Sequence, residues 1–370
     1  MDGNAPYLLT PGPLTTAAAT KQAMLRDWGS RDKDFIALTA EVRERLVSIA
    51  GVADSHTAVP VQGSGTFAIE ATLGTLAPRD GKVLVLVNGA YGRRMLTILE
   101  RLGRASAGVE TAEDTPIDPA AVDNALAQDP AITHVAAVQC ETTSGILNPM
   151  GEIAAVVAGR GRRLIIDAMS AFGALPTETT DYDALVASSN KCLEGVPGLG
   201  FAIVRREALE VSVGNAPSLS LDLHDQWRGF EANGQWRFTP PTHVAAAFQA
   251  ALRDHAAEGS VEGRGARYRE NCRILIDGMR AMGFEPLLAA DVQAPIIVTF
   301  HMPADPRFDF ERFYDRLAAR GFVIYPGKLT VAESFRMGCI GHLGSDEMQA
   351  AIDAARAVLG QMGVESGAPA

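Results

Sequence analysis

Ser188-Ser189-Asn190-Lys191-Cys192-Leu193-Glu194-Gly195-Val196-Pro197-Gly198-Leu199-Gly200-Phe201 is the stretch on which the reading of this chain turns. An apolar run, Tyr182 to Ala187, delivers two serines, an asparagine and one lysine. A Gly/Pro-rich turn follows, and then a second apolar run, Phe201 to Val204. Short apolar runs between turn signals read as buried strands. A lysine at the end of such a strand cannot snorkel to water as one on a helix surface does. Its ammonium is partly desolvated, which lowers the pKa from about 10.4 and frees the amine as a nucleophile. A solvated strand-end lysine fits the same letters.

Asp167 shifts the balance, because Leu164-Ile165-Ile166-Asp167 is another apolar run and it closes on an acid. An acid and a lysine, each ending a buried strand, are what pyridoxal phosphate needs: a Schiff-base amine and a partner for the pyridinium nitrogen. Further back, Thr57 to Gln62 reads as a strand, Gly63-Ser64-Gly65-Thr66 as its turn and Phe67 to Leu76 as a helix. That geometry aims orphan helix N–H groups and a hydroxyl at a phosphate, with Gly65 and Thr66 the candidates. The same letters match GxGxxA, so a dinucleotide fold competes. It fails at the next strand, Val83 to Val87, which ends in Asn88 rather than the acid that holds a ribose.

Tyr91 follows in Asn88-Gly89-Ala90-Tyr91-Gly92, a glycine-flanked turn from which an aromatic can stack on a planar ring; an ordinary turn tyrosine fits as well. Val135 to Val138 is another buried strand, running into the hydroxyl-rich Gln139-Cys140-Glu141-Thr142-Thr143-Ser144-Gly145. Helical segments at Leu38–Ala50, Ala120–Ala127 and Glu152–Ala158 alternate with these strands, which predicts a mostly parallel sheet covered by helices. In such sheets ligands sit at the carboxyl edge. Every polar group named above falls there.

At 370 residues the chain is long for one domain, so a large domain and a smaller one are expected. A formal net charge of −11 argues against nucleic acid or an anionic membrane as partner. The four cysteines form no CxxC pair and the seven histidines show no metal spacing, which predicts buried reduced thiols and no metal. With neither a signal peptide nor a long apolar run, the expected location is the cytoplasm. Leu8-Leu9-Thr10-Pro11-Gly12-Pro13-Leu14-Thr15 is a rigid opening that reads as a linker or as a pocket wall, Gly12 permitting close backbone approach. Beyond Thr242 come helices at 244–257 and 265–282, strands Ile296–Phe300 and Phe322–Tyr325 around a helix Phe310–Arg320, a strand from Phe335, a closing helix Asp346–Leu359 and a loose tail at 365–370. Arg336 lies mid-strand, where a charge needs a partner: a structural ion pair or a bound anion.

Taken together, the proline-glycine opening, Gln62-Gly63-Ser64-Gly65, Glu141-Thr142-Thr143, Asp167-Ala168-Met169-Ser170, Ser188 to Cys192, Trp236-Arg237-Phe238-Thr239 and Phe322 to Lys328 resemble the class V aminotransferases. These are fold-type I pyridoxal-phosphate enzymes, and the likeness runs from Tyr7 to about Gly360. It implies an α/β fold with an arm at residues 1–16 lining the active site, a large cofactor-binding domain at 17–255 and a smaller α+β domain at 256–370. It implies that Lys191 carries the cofactor and moves the proton, Asp167 pairs with the ring nitrogen, and Gly65 and Thr66 hold the phosphate. Tyr91 would stack on the ring, Thr142 would bond its phenolic-oxygen side, and Asn190 would adjoin Lys191. Thr239 would reach the phosphate of a neighbouring subunit in a homodimer, and Arg336 would clamp the substrate anion beside Thr10, Gly12 and Pro13. The members it resembles most move an amino group from an aminophosphonate to pyruvate. An alanine–glyoxylate or serine–pyruvate aminotransferase, an aminophosphonate lyase and a non-catalytic nucleotide module stay open as alternatives.

Overall fold

The computed structural model describes residues 5–329 and 332–370. Its centre is a seven-stranded sheet in the order His56–Gln62, Leu199–Arg205, Ala184–Ser188, Arg163–Asp167, Ile132–Val138, Lys82–Val87, Ala105–Glu110. All pairings are parallel except those of Leu199–Arg205, which runs antiparallel to both its neighbours. Alternation along the strands decides the layers. Val135, Ala137, Leu164, Ile166, Leu185 and Ala187 point into one buried cluster, while Ala136, Val138, Ile165, Ala184 and Val186 point into another. A strand with apolar residues on both faces must be covered on both. One face is covered by helices Lys33–Ile49, Pro119–Gln128, Met150–Gly159 and Thr242–Ala257, the other by Gly65–Leu76, Ala90–Arg101 and Leu223–Asn233.

A third cluster forms around the three-stranded antiparallel sheet Ile297–His301, Ser334–Gly338, Tyr325–Pro326. Phe335 is fully buried there, with ring centroids 5.5 Å from Phe284 and 5.6 Å from Phe300. Helices Ser260–Arg280, Phe310–Ala318 and Ser345–Met362 pack on this sheet. The expected strand from Phe322 to Tyr325 is divided: Phe322–Val323 pairs in parallel with Tyr7–Leu8 of the arm, whereas Tyr325–Pro326 pairs with Ser334–Gly338.

One strand was unforeseen, and two expectations need correction. Ala105–Glu110 is a sheet-edge strand that the sequence did not signal. Tyr91 stands in the first turn of helix Ala90–Arg101 rather than in a turn before it, because Glu141 and Thr143 cap that helix from another strand. The tail is not loose: the Gly367 N–H bonds Met282 O at 2.8 Å and Ala368 O accepts from Ala304 N–H at 2.8 Å. Among the described residues no helix is long and apolar enough to cross a membrane. All four cysteines are free and buried.

Candidate active site

At the carboxyl edge of the parallel strands lies a cavity of about 200 Å³. Gly65, Thr66, Tyr91, Asp167, Asn190 and Lys191 all line it. Each arrives by a short route from a strand end. Gly63, at φ +122°, turns the chain so that the helix beginning at Gly65 points its first turn into the cavity. A Cβ on Gly65 would stand 2.2 Å from Met169 Sδ, so a side chain there would displace the end of Met169. The amides of such a first turn have no partners within the helix.

Lys191 is half-buried, and desolvation, ahead of every other influence, lowers its pKa; Lys328 pushes the same way, while Tyr91 and Asp167 oppose. Its Nζ donates to Pro11 O. Gly12, at φ +117°, lies so close that a Cβ there would meet Lys191 Nζ at 2.8 Å. The turn behind the lysine is held by a buried charge network. Glu194, at φ +55°, accepts from Arg267 Nη2 at 2.8 Å and from the Tyr268 hydroxyl, and its own N–H bonds Lys191 O at 2.8 Å. Arg264 Nη1 donates to Cys192 O.

Asp167 is buried, and burial pushes its carboxyl up to about 6; the Met169 N–H pulls down, Glu141 pushes up, and Arg94 and Lys191 pull down. Oδ1 accepts from Met169 N at 2.9 Å, and Oδ2 has no hydrogen-bond donor among the described residues. Glu141 is fully buried and accepts from the N–H groups of Tyr91 and Thr143, both at 3.0 Å. Burial raises its pKa against those bonds. Cys140 and Cys192 are pushed up by burial, Cys192 to about 12, which leaves them unreactive as thiolates.

The remaining predicted residues divide. Thr142 is buried beside the cavity, and its Oγ1 makes no hydrogen bond of ordinary geometry. Arg336 is 5 % exposed and mid-strand, but no carboxylate comes within salt-bridge distance among the described residues. It donates Nε–H to Pro326 O at 3.1 Å and Nη1–H to Thr142 O at 2.8 Å, and neither Arg336 nor Thr142 is among the residues that line the cavity. Thr10 turns its hydroxyl onto the arm, donating to Pro13 O at 2.6 Å, and so does not present it to the cavity. Pro13 is exposed and contributes that carbonyl. Thr239 is exposed and lies off the cavity walls of its own chain.

Two cations escaped the sequence reading. Arg94 lines the cavity, donates from Nη1 to Thr66 Oγ1 at 3.2 Å and sits 4.8 Å from the Tyr91 ring centroid. Lys328 Nζ lies 4.4 Å from the same centroid. Burial would raise the Tyr91 pKa, but Lys191, the nearby Thr142 side chain and Lys328 together bring it below the usual phenol value. Arg94 sits three residues after Tyr91, and that helical spacing was the available signal.

Residues 17–316 match the family model of class-V aminotransferases. A 2-aminoethylphosphonate–pyruvate transaminase of Pseudomonas putida is 58 % identical over 363 residues, covering 98 % of this chain and 99 % of that protein. A 2-aminoethylphosphonate–pyruvate transaminase of Burkholderia lata is 56 % identical over 361 residues, 97 % of this chain and 96 % of that one. Among solved structures, ureidoglycine–glyoxylate aminotransferase of Bacillus subtilis superposes with a TM-score of 0.90 at 23 % identity, over 100 % of this chain and 96 % of that one. Pyridoxamine–pyruvate aminotransferase of Mesorhizobium loti gives 0.88 at 25 %, over 99 % and 95 %.

Proposed function

Since the chain belongs to the class-V aminotransferase family, whose members are pyridoxal-phosphate enzymes, we propose that it transfers the amino group of 2-aminoethylphosphonate to pyruvate. The products are phosphonoacetaldehyde and alanine. The observation that carries the substrate reading is 58 % identity sustained over 98 % of the chain. What supports the chemistry is a desolvated lysine and a buried acid on the walls of one cavity.

The residues present suit the cofactor. Asp167 Oδ2 has no donor among the described residues, Thr142 Oγ1 is buried without a well-formed bond, and at Gly65 a side chain would run into Met169. We assign Lys191 as the covalent anchor, Asp167 as the partner of the ring nitrogen, and Gly65, Thr66 and Arg94 as the phosphate site. Tyr91 would stack on the cofactor's ring, and Thr142 and Asn190 would bond its polar atoms. Pyridoxal phosphate supplies a carbonyl carbon for amine exchange and a ring that takes up the electrons of a broken C–H bond. Lys191 supplies the base: the lowered pKa of its Nζ favours the neutral amine, the form able to take the substrate's carbon-bound proton and return it. Asp167, ionised beside a cationic nitrogen, keeps that nitrogen protonated. Arg336 binds the anionic end of each substrate in turn through the guanidinium edge facing away from Pro326 and Thr142.

We further assign the arm to residues 1–16, the large domain to 17–255 and the small one to 256–370, in a cytoplasmic homodimer in which Thr239 serves the neighbouring subunit's site. A screen of amino donors with pyruvate as acceptor, reading alanine, tests the function. Alanine should form with 2-aminoethylphosphonate at the highest kcat/KM. A preference for serine, or phosphonate breakdown that leaves no pyridoxamine phosphate when pyruvate is withheld, would overturn the reading.

A further inference from the structure

Arg336 carries five N–H bonds, and two are already given to backbone carbonyls: Nε–H to Pro326 O and one Nη1–H to Thr142 O. Three N–H remain: one each on Nη1 and Nη2 share the free edge, which matches the two oxygens of a carboxylate, and the other Nη2–H lies on the Nε side, toward Pro326 O. A phosphonate has three oxygens and at neutral pH carries more charge than a carboxylate. Arg336 alone therefore satisfies pyruvate or alanine and leaves a phosphonate one oxygen and part of its charge short.

The cation placed to make up that difference is Lys328. It stands two residues beyond Pro326, in the chain leaving the short strand whose Tyr325 pairs in register with Arg336. Its Nζ reaches 4.4 Å from the centroid of Tyr91, a wall of the cavity that also holds Lys191. No carboxylate lies within salt-bridge distance of it among the described residues. Arg94, the other cation on Tyr91, is bonded to Thr66 and so belongs to the helix N-terminus across the ring's surroundings. Of the two cations over Tyr91, Arg94 is thus engaged by Thr66, whereas Lys328 enters from the segment whose Tyr325 pairs with Arg336. Resting on the transaminase reading above, we propose that Lys328 binds the third oxygen of the phosphonate and sets the preference for an aminophosphonate over an amino acid.

The test uses the loaded enzyme and two donors that act on the same cofactor form, 2-aminoethylphosphonate and L-alanine, in single-turnover half-reactions. Lys328→Met keeps the apolar stem and removes the charge. It should lower kcat/KM for 2-aminoethylphosphonate by about 10- to 100-fold, the range of a hydrogen bond to a charged group, and for alanine by far less. Lys328→Arg should restore most of the phosphonate rate. Equal losses on both donors, or none on either, would overturn the assignment. Ethylphosphonate and propionate, which lack the amine, give a second readout as competitive inhibitors: the preference for ethylphosphonate should collapse in Lys328→Met. If the unsubstituted enzyme does not transaminate 2-aminoethylphosphonate, the functional reading falls by itself. Unchanged inhibitor selectivity in Lys328→Met would then sink the Lys328 assignment separately.

Discussion

Asp167 exposes a cost that the free protein carries. The unfolded chain gives up this proton near the usual 3.8, the folded protein at about 6. Between those values the folded state binds more protons, so stability falls as pH rises through the window and the loss is complete above it. Before cofactor is added, Asp167→Asn should therefore be more stable than the parent at pH 7.5, by about 1–3 kcal/mol, with the gap closing near pH 4. Urea titrations at the two pH values check this; an unchanged gap would mean the carboxyl is not the group being titrated. With cofactor bound the order should reverse, because only the carboxylate stabilises a cationic ring nitrogen. Lys191, Asp167 and Gly65 were legible because each ends or follows an apolar run, and a polar group there has few ordinary explanations. Arg94 and Lys328 were not: a charged residue in a helix or surface segment looks the same in sequence whether it faces water or a cavity. Thr10 shows the opposite failure, since nothing in its neighbours announces that its hydroxyl is spent on Pro13 O.

Among the elements, the Lys191 turn is the one built against resistance. Glu194 adopts a left-handed conformation that side chains resist, and the buried contacts of its carboxylate with Arg267 and Tyr268 hold it there. Glu194→Gln keeps the shape and removes the charge facing Arg264 and Arg267, leaving Glu258 as their acid. Loss of one member of a buried ion network costs about 3 kcal/mol. Thermal unfolding of the variant should come correspondingly earlier, and a shift too small to measure would show that the network does not brace this turn. The main-sheet strands with unbroken apolar runs were readable. The edge strand Ala105–Glu110 was not, because Ala-Ser-Ala-Gly-Val-Glu packs one side only and has the composition of a loop. The start of the Tyr91 helix was hidden for another reason: its cap comes from Glu141 and Thr143, some fifty residues away.

At the scale of the whole molecule the exposed apolar residues carry the argument. Phe67 is 51 % exposed, Phe238 48 % and Leu219 72 %, and the two phenylalanines stand next to Thr66 and Thr239 in the chain. Large apolar side chains grouped on a surface mark a contact with another molecule. A second copy of the chain covering them would give Thr239 the role proposed for it above. Sedimentation should give twice 39.1 kDa, and dilution to the monomer should release cofactor. A fully active monomer would refute the shared site. Assembly of this kind is nearly silent in sequence, where an exposed phenylalanine and a buried one are the same letter.

The reversed strand Leu199–Arg205 has a further consequence, in the order of folding. Every other sequential pairing in the main sheet is parallel and needs a long crossover, whereas Ala184–Ser188 and Leu199–Arg205 meet across the short connection that contains Lys191. Short loops close at lower entropic cost, and local pairings form ahead of distant ones. The lysine's turn should thus be among the first parts of the sheet to take shape, well before the strand ending in Asp167 is flanked on both sides. Pulse-labelling hydrogen exchange during refolding should protect the amides of Val186 and Ala202 earlier than those of Val85 and Ala136. Simultaneous protection would show that the sheet forms as one unit.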